Sequence, residues 1–186
     1  ACGEIEYLTL KAQKAFFEIE MKSSSSNPEA IHIHMLIDDM LAAASQITSH
    51  IYPRGWDAKK KPIEADFSLE AAARLRDLLS IGDEPILRCK AVRNHNVHFD
   101  ERLQRWLLNS ANRTYGRHML GSISDIERLK IKSEDVLALF DVKDGTYVFW
   151  EDKVNIFDLG EKLLRVRNAA RKYMATAEWN GLRVGR

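Results

Sequence analysis

Residues 87–103 read Leu-Arg-Cys-Lys-Ala-Val-Arg-Asn-His-Asn-Val-His-Phe-Asp-Glu-Arg-Leu. The centre of this stretch, residues 93–98, places an arginine, two asparagines and two histidines in what is otherwise the core-facing middle of a predicted long helix. A helix that only had to pack would carry aliphatic side chains there. Because a buried polar group without a partner costs about 1–3 kcal/mol, the cluster indicates either a hydrogen-bonding partner or a functional site.

The spacing inside this cluster limits how its side chains can meet. Arg93 and His98 are five residues apart, which sets them roughly 140° apart around a regular helix. Asn94 and His98 are i,i+4 neighbours on one face. The guanidinium and the imidazole therefore converge on one target only if the helix begins or bends near them, or if a second copy of the chain supplies the complementary group.

The same residues carry a family resemblance. An arginine, a polar residue, three further residues and a histidine on a helix resemble the signature of the HEPN superfamily, and the run 98–102 resembles bacterial members linked to abortive infection and toxin systems. The resemblance covers roughly residues 4–112. It implies a helical bundle that pairs as a homodimer with the two motifs facing each other, and metal-independent RNA cleavage in active members. It also suggests a cognate antitoxin or a nucleotidyltransferase as partner.

The chemistry of such cleavage assigns roles to individual residues. It needs a base for the 2′-hydroxyl, an acid for the leaving 5′-oxygen and positive charge at the phosphate. His98 suits proton transfer because imidazole titrates near pH 6.5, and Arg93 suits the phosphate because its guanidinium contacts two oxygens at once. Asn94 would orient the phosphate or hold His98 in one tautomer. The candidate supporting residues are His95, Asp38, Asp39 and Glu101.

Each of these residues also has a structural interpretation. Arg93 would then pair with Asp38 or Asp39 of the second helix, and His98 would be a core histidine with satisfied hydrogen bonds. Glu101 would form a salt bridge with the arginine that follows it, either in solvent or at an interface. A chain that kept the motif only for dimer packing would be a catalytically inactive dimerisation module, or one that binds a partner or a nucleotide.

We expect neither a metal nor a cofactor. His95 and His98 are three residues apart and could share a metal, but two ligands are too few, and the remaining histidines show no complementary spacing. The chain has no Gly-rich phosphate loop before a helix, no Gly-x-Ser-x-Gly sequence and no Cys-x-x-Cys pair.

Composition narrows the class of protein. The 186 residues are 45% apolar and 30% charged, with a net charge of +1, which is ordinary for a globular protein. The small net charge argues against a non-specific nucleic-acid coat protein, so RNA contacts are expected to be local. Cys2 and Cys89 form no disulfide framework, and no apolar run approaches the roughly 20 residues of a bilayer span. These features predict a soluble cytoplasmic protein.

Apolar periodicity predicts the helices of the first part of the chain. A helix is expected over about residues 4–22, and a second from an Asn27 cap and Pro28 to Pro53. A loop over residues 52–67 then leads to a short helix capped by Ser68 and ended by Gly82, before the motif helix. The expected inward residues are Ile5, Leu8, Ala12, Ala15, Phe16 and Ile19, then Ile33, Ile37, Met40, Ala44, Ile47 and Ile51, then Leu69, Ala72, Leu75 and Leu79.

The pattern changes after about residue 112. Residues 136–142 and 146–150 flank an Asp-Gly pair and predict a β-hairpin. A hairpin of this kind is marginal alone, so it must pack on helices or on another subunit. The expected faces are Leu137, Leu139, Tyr147 and Phe149 on one side, and Ala138, Phe140, Val148 and Trp150 on the other.

A last helix is expected over about residues 156–173. Its predicted buried positions are Ile156, Leu159, Leu163, Val166 and Ala170. Its outer face is basic, either as a solvated surface or as a guide for the RNA backbone. The residues that would contact RNA are Arg165, Arg167, Arg171 and Lys172.

Together these features predict a mainly α (α+β) fold. A HEPN-like helical bundle over residues 1–112 is expected to precede a β-hairpin plus C-terminal helix over residues 113–186, packed on the bundle as an appendage. The expected function is a metal-independent endoribonuclease acting as a homodimer, with a role as toxin or defence effector.

Overall fold

The computed structural model describes residues 1–52, 62–82, 99–109, 115–131, 135–150 and 152–179, without side-chain detail for residues 62–68, 102, 109, 123 and 177–179. The fold is mostly helical with a small sheet. The helices are α1 (Cys2–Ser23), α2 (Ala30–Ile51), α3 (Pro62–Leu78), α4 (Phe99–Asn109), α5 (Ile123–Arg128) and α6 (Ile156–Trp179). The strands are β1 (Met119–Leu120), β2 (Ala138–Phe140), β3 (Thr146–Phe149) and β4 (Asp152–Asn155).

Helices α1 and α2 pack on each other through the predicted apolar stripes. The six inward positions predicted for α2 are all buried, and five of the six in α1 are buried while Phe16 is partly buried against the core. The predicted start of α2 was wrong: Glu29 occupies the N-cap position, without a side-chain hydrogen bond, and the helix begins at Ala30. The first buried side chain of the helix is Ile33.

Helix α3 begins six residues before the predicted Ser68 cap, at Pro62. Proline is well tolerated at the first position of a helix, where its missing N–H has no partner to lose, so Pro62 marks a helix start within the predicted loop. The helix also ends before Gly82. Ser80 takes a left-handed conformation with φ 53°, and the Ile81 N–H donates to the Arg76 carbonyl at 2.9 Å, which closes the helix end.

The inward face predicted for α3 is confirmed in part. Ala72 and Leu79 are buried, and Leu75 packs partly buried against the core. Leu69, by contrast, is 48% exposed, so the predicted stripe does not extend to that turn.

The predicted hairpin is present as β2 and β3, within a four-stranded sheet of order β1-β2-β3-β4. Its register differs from the prediction by one residue, since Phe140 pairs with Tyr147 and Leu139 with Val148. Because side chains alternate between the faces of a strand, a one-residue shift changes which of them share a face. Phe140 and Tyr147 lie in the main core, and Leu139 and Val148 lie in a smaller cluster on the opposite face.

The turn of the hairpin explains this register. The Asp141 N–H donates to the Thr146 carbonyl at 2.9 Å, and the Gly145 N–H donates to the Asp141 carbonyl at the same distance. Gly145 has φ +77°, a conformation that favours glycine. The loop therefore holds four residues, 142–145, one more than the predicted Lys-Asp-Gly turn.

Three short elements around the hairpin were not predicted from the sequence. Strand β1 runs parallel to β2, β4 runs antiparallel to β3, and α5 lies between β1 and β2 in the chain. Ser122 and Asp125 form a reciprocal capping box at the start of α5. Elements of two to six residues are too short to show a hydrophobic period, which is why apolar spacing did not reveal them.

Helix α6 confirms the predicted C-terminal helix, and its five predicted inward residues are all buried. Asn155 caps its first turn by accepting a hydrogen bond from the Asp158 N–H at 2.9 Å. The helix packs on α1, where a Cβ on Gly160 would lie 2.6 Å from the ring of Phe16. The main core joins residues of α1, α2, the sheet and α6.

None of the helices in the part of the chain that the structure describes combines the length and apolarity needed for a bilayer crossing.

Candidate functional site

A buried histidine lies where α2 meets the edge of the sheet. His34 is 1% exposed, and its Nε2 lies 3.0 Å from the backbone carbonyl oxygen of Met119 in β1. A carbonyl only accepts hydrogen bonds, so Nε2 carries the proton and donates it, and Nδ1 of the neutral ring keeps its lone pair. Nδ1 is buried and makes no hydrogen bond within the described residues.

A second histidine and an arginine lie next to His34. The ring of His118 meets that of His34 edge to face, with centroids 5.1 Å apart, and His118 is half-buried. His118 has φ +60°, a left-handed conformation that costs a non-glycine residue roughly 1–2 kcal/mol. The packing of the neighbouring groups must offset this cost and fix where the imidazole lies.

Arg117 connects the two histidines to the motif-bearing part of the chain. Its guanidinium carbon lies 4.0 Å from the centroid of the Phe99 ring, at the first residue of α4, a stacking that is favourable for a cation. Phe99 in turn contacts Phe149 and Trp150, with ring centroids 6.4 and 6.2 Å away. In the sequence, Phe99 directly follows His98. We call the group His34, Arg117, His118 and Phe99 the two-histidine site.

Burial and charge hold both imidazoles neutral near pH 7. Burial lowers the pKa of His34 to about 4, against a raising contribution from its hydrogen bond with Met119, and the charges of His118 and Arg117 lower it further. Burial, and then the positive charge of Arg117, lower the pKa of His118 below its ordinary value. A neutral imidazole is the form that accepts a proton, so the site combines a proton acceptor with a permanent positive charge.

The predicted catalytic residues Arg93, Asn94 and His98 and the predicted supporting residue His95 lie outside the described residues. Their roles stay predictions.

The acidic candidates in the described part of the chain divide between two environments. Asp38 is half-buried on α2, one turn after His34 and on the same helix face, so it lies on the side of α2 that carries the two-histidine site. Asp39 is exposed, and its Oδ1 lies 3.8 Å from Nζ of Lys11. Glu101 is exposed in the first turn of α4.

Only part of the basic face predicted for α6 is free to contact RNA. Arg167 is not on the outer face as predicted: its Nη1 hydrogen-bonds Oε1 of the buried Gln13 in α1. Nε of Arg171 pairs with Oε1 of Glu6 at 3.3 Å. Arg165 and Lys172 are exposed.

Arg165 also borders a cleft of about 250 Å³ between the end of α3 and α6. Apolar side chains form most of its lining, and Lys162 contributes a second basic group. The residues around the cleft are Leu79, Ser80, Ile81, Lys162, Arg165, Val166 and Ala169.

Apolar periodicity does not mark His34, Arg117 or His118 as site residues. A signal was present for His34, because Ile37 and Leu41 follow it at three and seven residues on the buried stripe of α2, which makes it a polar residue at a core position. His118 and Arg117 precede a two-residue strand and have no such signal. Within the described ranges, no three His, Cys, Asp or Glu side chains are arranged to hold a metal ion.

Comparisons with protein-family models, curated proteins and solved structures give no match to this chain.

Proposed function

We propose that the protein is a metal-independent endoribonuclease of the HEPN kind, in which His98 transfers a proton and Arg93 binds the phosphate. The observation that carries the proposal is the contact between Arg117 and Phe99 beside His34 and His118. It places the guanidinium against the residue that follows the motif, on the same segment as His118. The guanidinium matches the positive charge, and a neutral imidazole matches the proton acceptor, that RNA cleavage without a metal requires.

The proposed reaction is an internal transesterification. A base removes the proton of the 2′-hydroxyl, the 2′-oxygen attacks the adjacent phosphorus, and the bond to the 5′-oxygen breaks as an acid returns a proton to it. The products are a 2′,3′-cyclic phosphate and a 5′-hydroxyl, so no external nucleophile or oxidant is consumed. Arginine favours the step because its charge is permanent and its two nitrogens match two phosphate oxygens.

The proposed enzyme acts as a homodimer, with the motifs of the two copies facing each other. Exposed apolar side chains on α4 support this arrangement, since Leu108 is 87% exposed and Leu107 is 40% exposed. Both lie on the helix that begins beside the two-histidine site. An apolar surface at this place favours a second copy of the chain, which would contribute a second Arg93 and His98.

The proposed RNA contacts outside the site are few. Arg165 and Lys172 are exposed on α6 and would bind backbone phosphates, whereas Arg167 and Arg171 are already held by α1. Because each phosphate contact releases about one counterion, binding by so small a set of cations should depend weakly on salt. This agrees with the net charge of +1.

The biological setting that we propose is that of a cytoplasmic toxin or defence effector controlled by a cognate antitoxin or a nucleotidyltransferase partner. The resemblance of the motif is its support.

Product analysis tests the reaction class. Purified protein incubated with single-stranded RNA and a chelator should release fragments that end in 2′,3′-cyclic phosphate and begin with a 5′-hydroxyl. Cleavage that requires a divalent ion, or that leaves 5′-phosphates, would contradict the proposed chemistry. A folded protein that cuts no RNA would favour the catalytically inactive binding module.

A further inference from the structure

Three observations on His118 suggest more than a packing role. His118 is only half-buried, whereas His34 is buried. Its backbone is held at φ +60°, where side chains other than Asn, Asp and His are rare. Its direct neighbour Arg117 is exposed and offers a guanidinium on the same short segment.

His34 fixes the position of this segment. Its Nε2 binds the carbonyl of Met119, the residue after His118, and its ring packs edge to face against the His118 imidazole at 5.1 Å. His34 also packs against Tyr147 of β3, with centroids 5.5 Å apart. His34 therefore fixes the position of His118 from the interior of the protein. His34 itself is too deeply buried to contact a substrate.

Within the part of the chain that the structure describes, the charge that lowers the pKa of His118 is that of Arg117 on its own segment. His34 on α2 is neutral near pH 7, and Asp38 on the same side of α2 is not among the groups that shift the pKa of His118. Tyr147 on β3 joins this group through its contact with His34. None of these groups favours a protonated His118, so the ring stays in its proton-accepting form.

We propose that His118 is a second proton-transfer residue of the ribonuclease site and accepts the proton of the RNA 2′-hydroxyl, while Arg117 binds the phosphate beside it. This inference rests on the proposed function and adds to it the residue that acts as the base. His98 is left to donate the proton to the leaving 5′-oxygen. The proton gained by His118 equals the one lost by His98, and solvent restores both after the products leave.

Single-turnover RNA cleavage with chelator, measured across pH, tests the inference. His118→Asn is the main variant, because asparagine tolerates the left-handed backbone but transfers no proton. We expect its rate to fall about 10²–10⁴-fold. The wild-type rate should rise with pH through a pKa below 6.5, where His118 loses its proton, and this rise should be absent from the variant. Added imidazole should restore part of the rate of His118→Ala.

The controls separate this inference from the proposed function. His32→Ala removes a partly exposed histidine that pairs with Glu29 at 3.6 Å and should cleave at the wild-type rate. If His98→Ala is inactive while both His118 variants keep the wild-type rate and pH profile, the role of His118 is wrong and the ribonuclease proposal stands. If wild-type protein cuts no RNA, both are wrong. Far-ultraviolet circular dichroism should give equal helicity for every variant.

Discussion

Nε2 of His34 and the carbonyl oxygen of Met119 lie 3.0 Å apart, although 85 residues separate them in the chain. The bond joins α2, in the helical layer, to β1 at the edge of the sheet. His34 is buried and Met119 is half-buried, so the bond is partly shielded from water. The position of the segment that carries Arg117 and His118 therefore depends on this contact.

Replacing His34 should destabilise the fold substantially. His34→Ala removes the hydrogen bond with Met119 and leaves a cavity among buried groups, so we expect the free energy of unfolding to fall by about 2–4 kcal/mol. Urea denaturation followed by circular dichroism measures this value. The matched control His32→Ala, at a partly exposed position on the same helix, should change it by less than about 0.5 kcal/mol. Equal effects of the two variants would contradict the described contact.

The stability of the protein should decrease as the pH falls below about 6.5. His34 has a pKa of about 4 in the folded protein against an ordinary value of 6.5, so between these values the unfolded chain binds a proton that the folded chain does not. The contribution of neutral His34 to the free energy of unfolding is complete above pH 6.5 and is lost as the pH falls toward 4. Its size is on the order of 3 kcal/mol, from the difference between the two pKa values.

The variant His34→Gln isolates this effect, because glutamine keeps an N–H donor for Met119 but does not titrate. Urea denaturation at several pH values should show a weaker pH dependence in the variant than in the wild type. His118, whose pKa is also lowered, should leave a residual dependence of the same sign in both proteins. Parallel curves for the two proteins would show that His34 is not the titrating group.

The sequence predicted the long helices well because periodicity over many turns is a strong signal. The stripes of α2 and α6 were predicted residue by residue, and the structure confirms them. The predicted register of the hairpin was wrong because the register depends on the number of residues in the turn. The positive φ of Gly145 accommodates a loop that is one residue longer than predicted. Local spacing contains no such information.

The site was predicted less completely than the fold. The motif that ends at His98 was read from the sequence, but its residues lie outside the described part of the chain. The two-histidine site combines residues from α2, the segment before β1 and α4. Contacts between segments so far apart in the chain arise from tertiary packing, and a single sequence gave no sign that His118 would lie against His34.

The C-terminal helix should prove integral to the core. Gly160 in α6 approaches Phe16 in α1 so closely that a Cβ would lie 2.6 Å from the ring, so Gly160→Ala should destabilise the protein despite the higher helix propensity of alanine. Gly3→Ala in α1 is the matched control, since no atom lies within 4 Å of its added Cβ. That control should be neutral or stabilising by up to about 1 kcal/mol. Thermal unfolding compares the two, and a stabilised Gly160→Ala protein would contradict the described helix contact.

The proposed dimer should depend on α4. Leu108→Lys places a charge on the exposed apolar surface of this helix, so we expect a dimer at micromolar concentration to become a monomer without loss of helicity. Leu129→Lys is the matched control, because Leu129 is also exposed, at 68%, but lies after α5. Sedimentation velocity measures the masses. A monomeric wild type, or a Leu108→Lys variant that stays dimeric, would exclude this surface as the dimer interface.

The most direct test of the central proposal is the rate at which wild-type protein and His98→Ala cleave single-stranded RNA in the presence of a chelator. The proposal predicts cleavage by the wild type and a loss of about 10²–10⁴-fold in the variant, at equal helicity. The exposed control His50→Ala should keep the wild-type rate. Equal rates for wild type and His98→Ala, or cleavage that disappears with the chelator, would contradict a metal-independent mechanism at this motif.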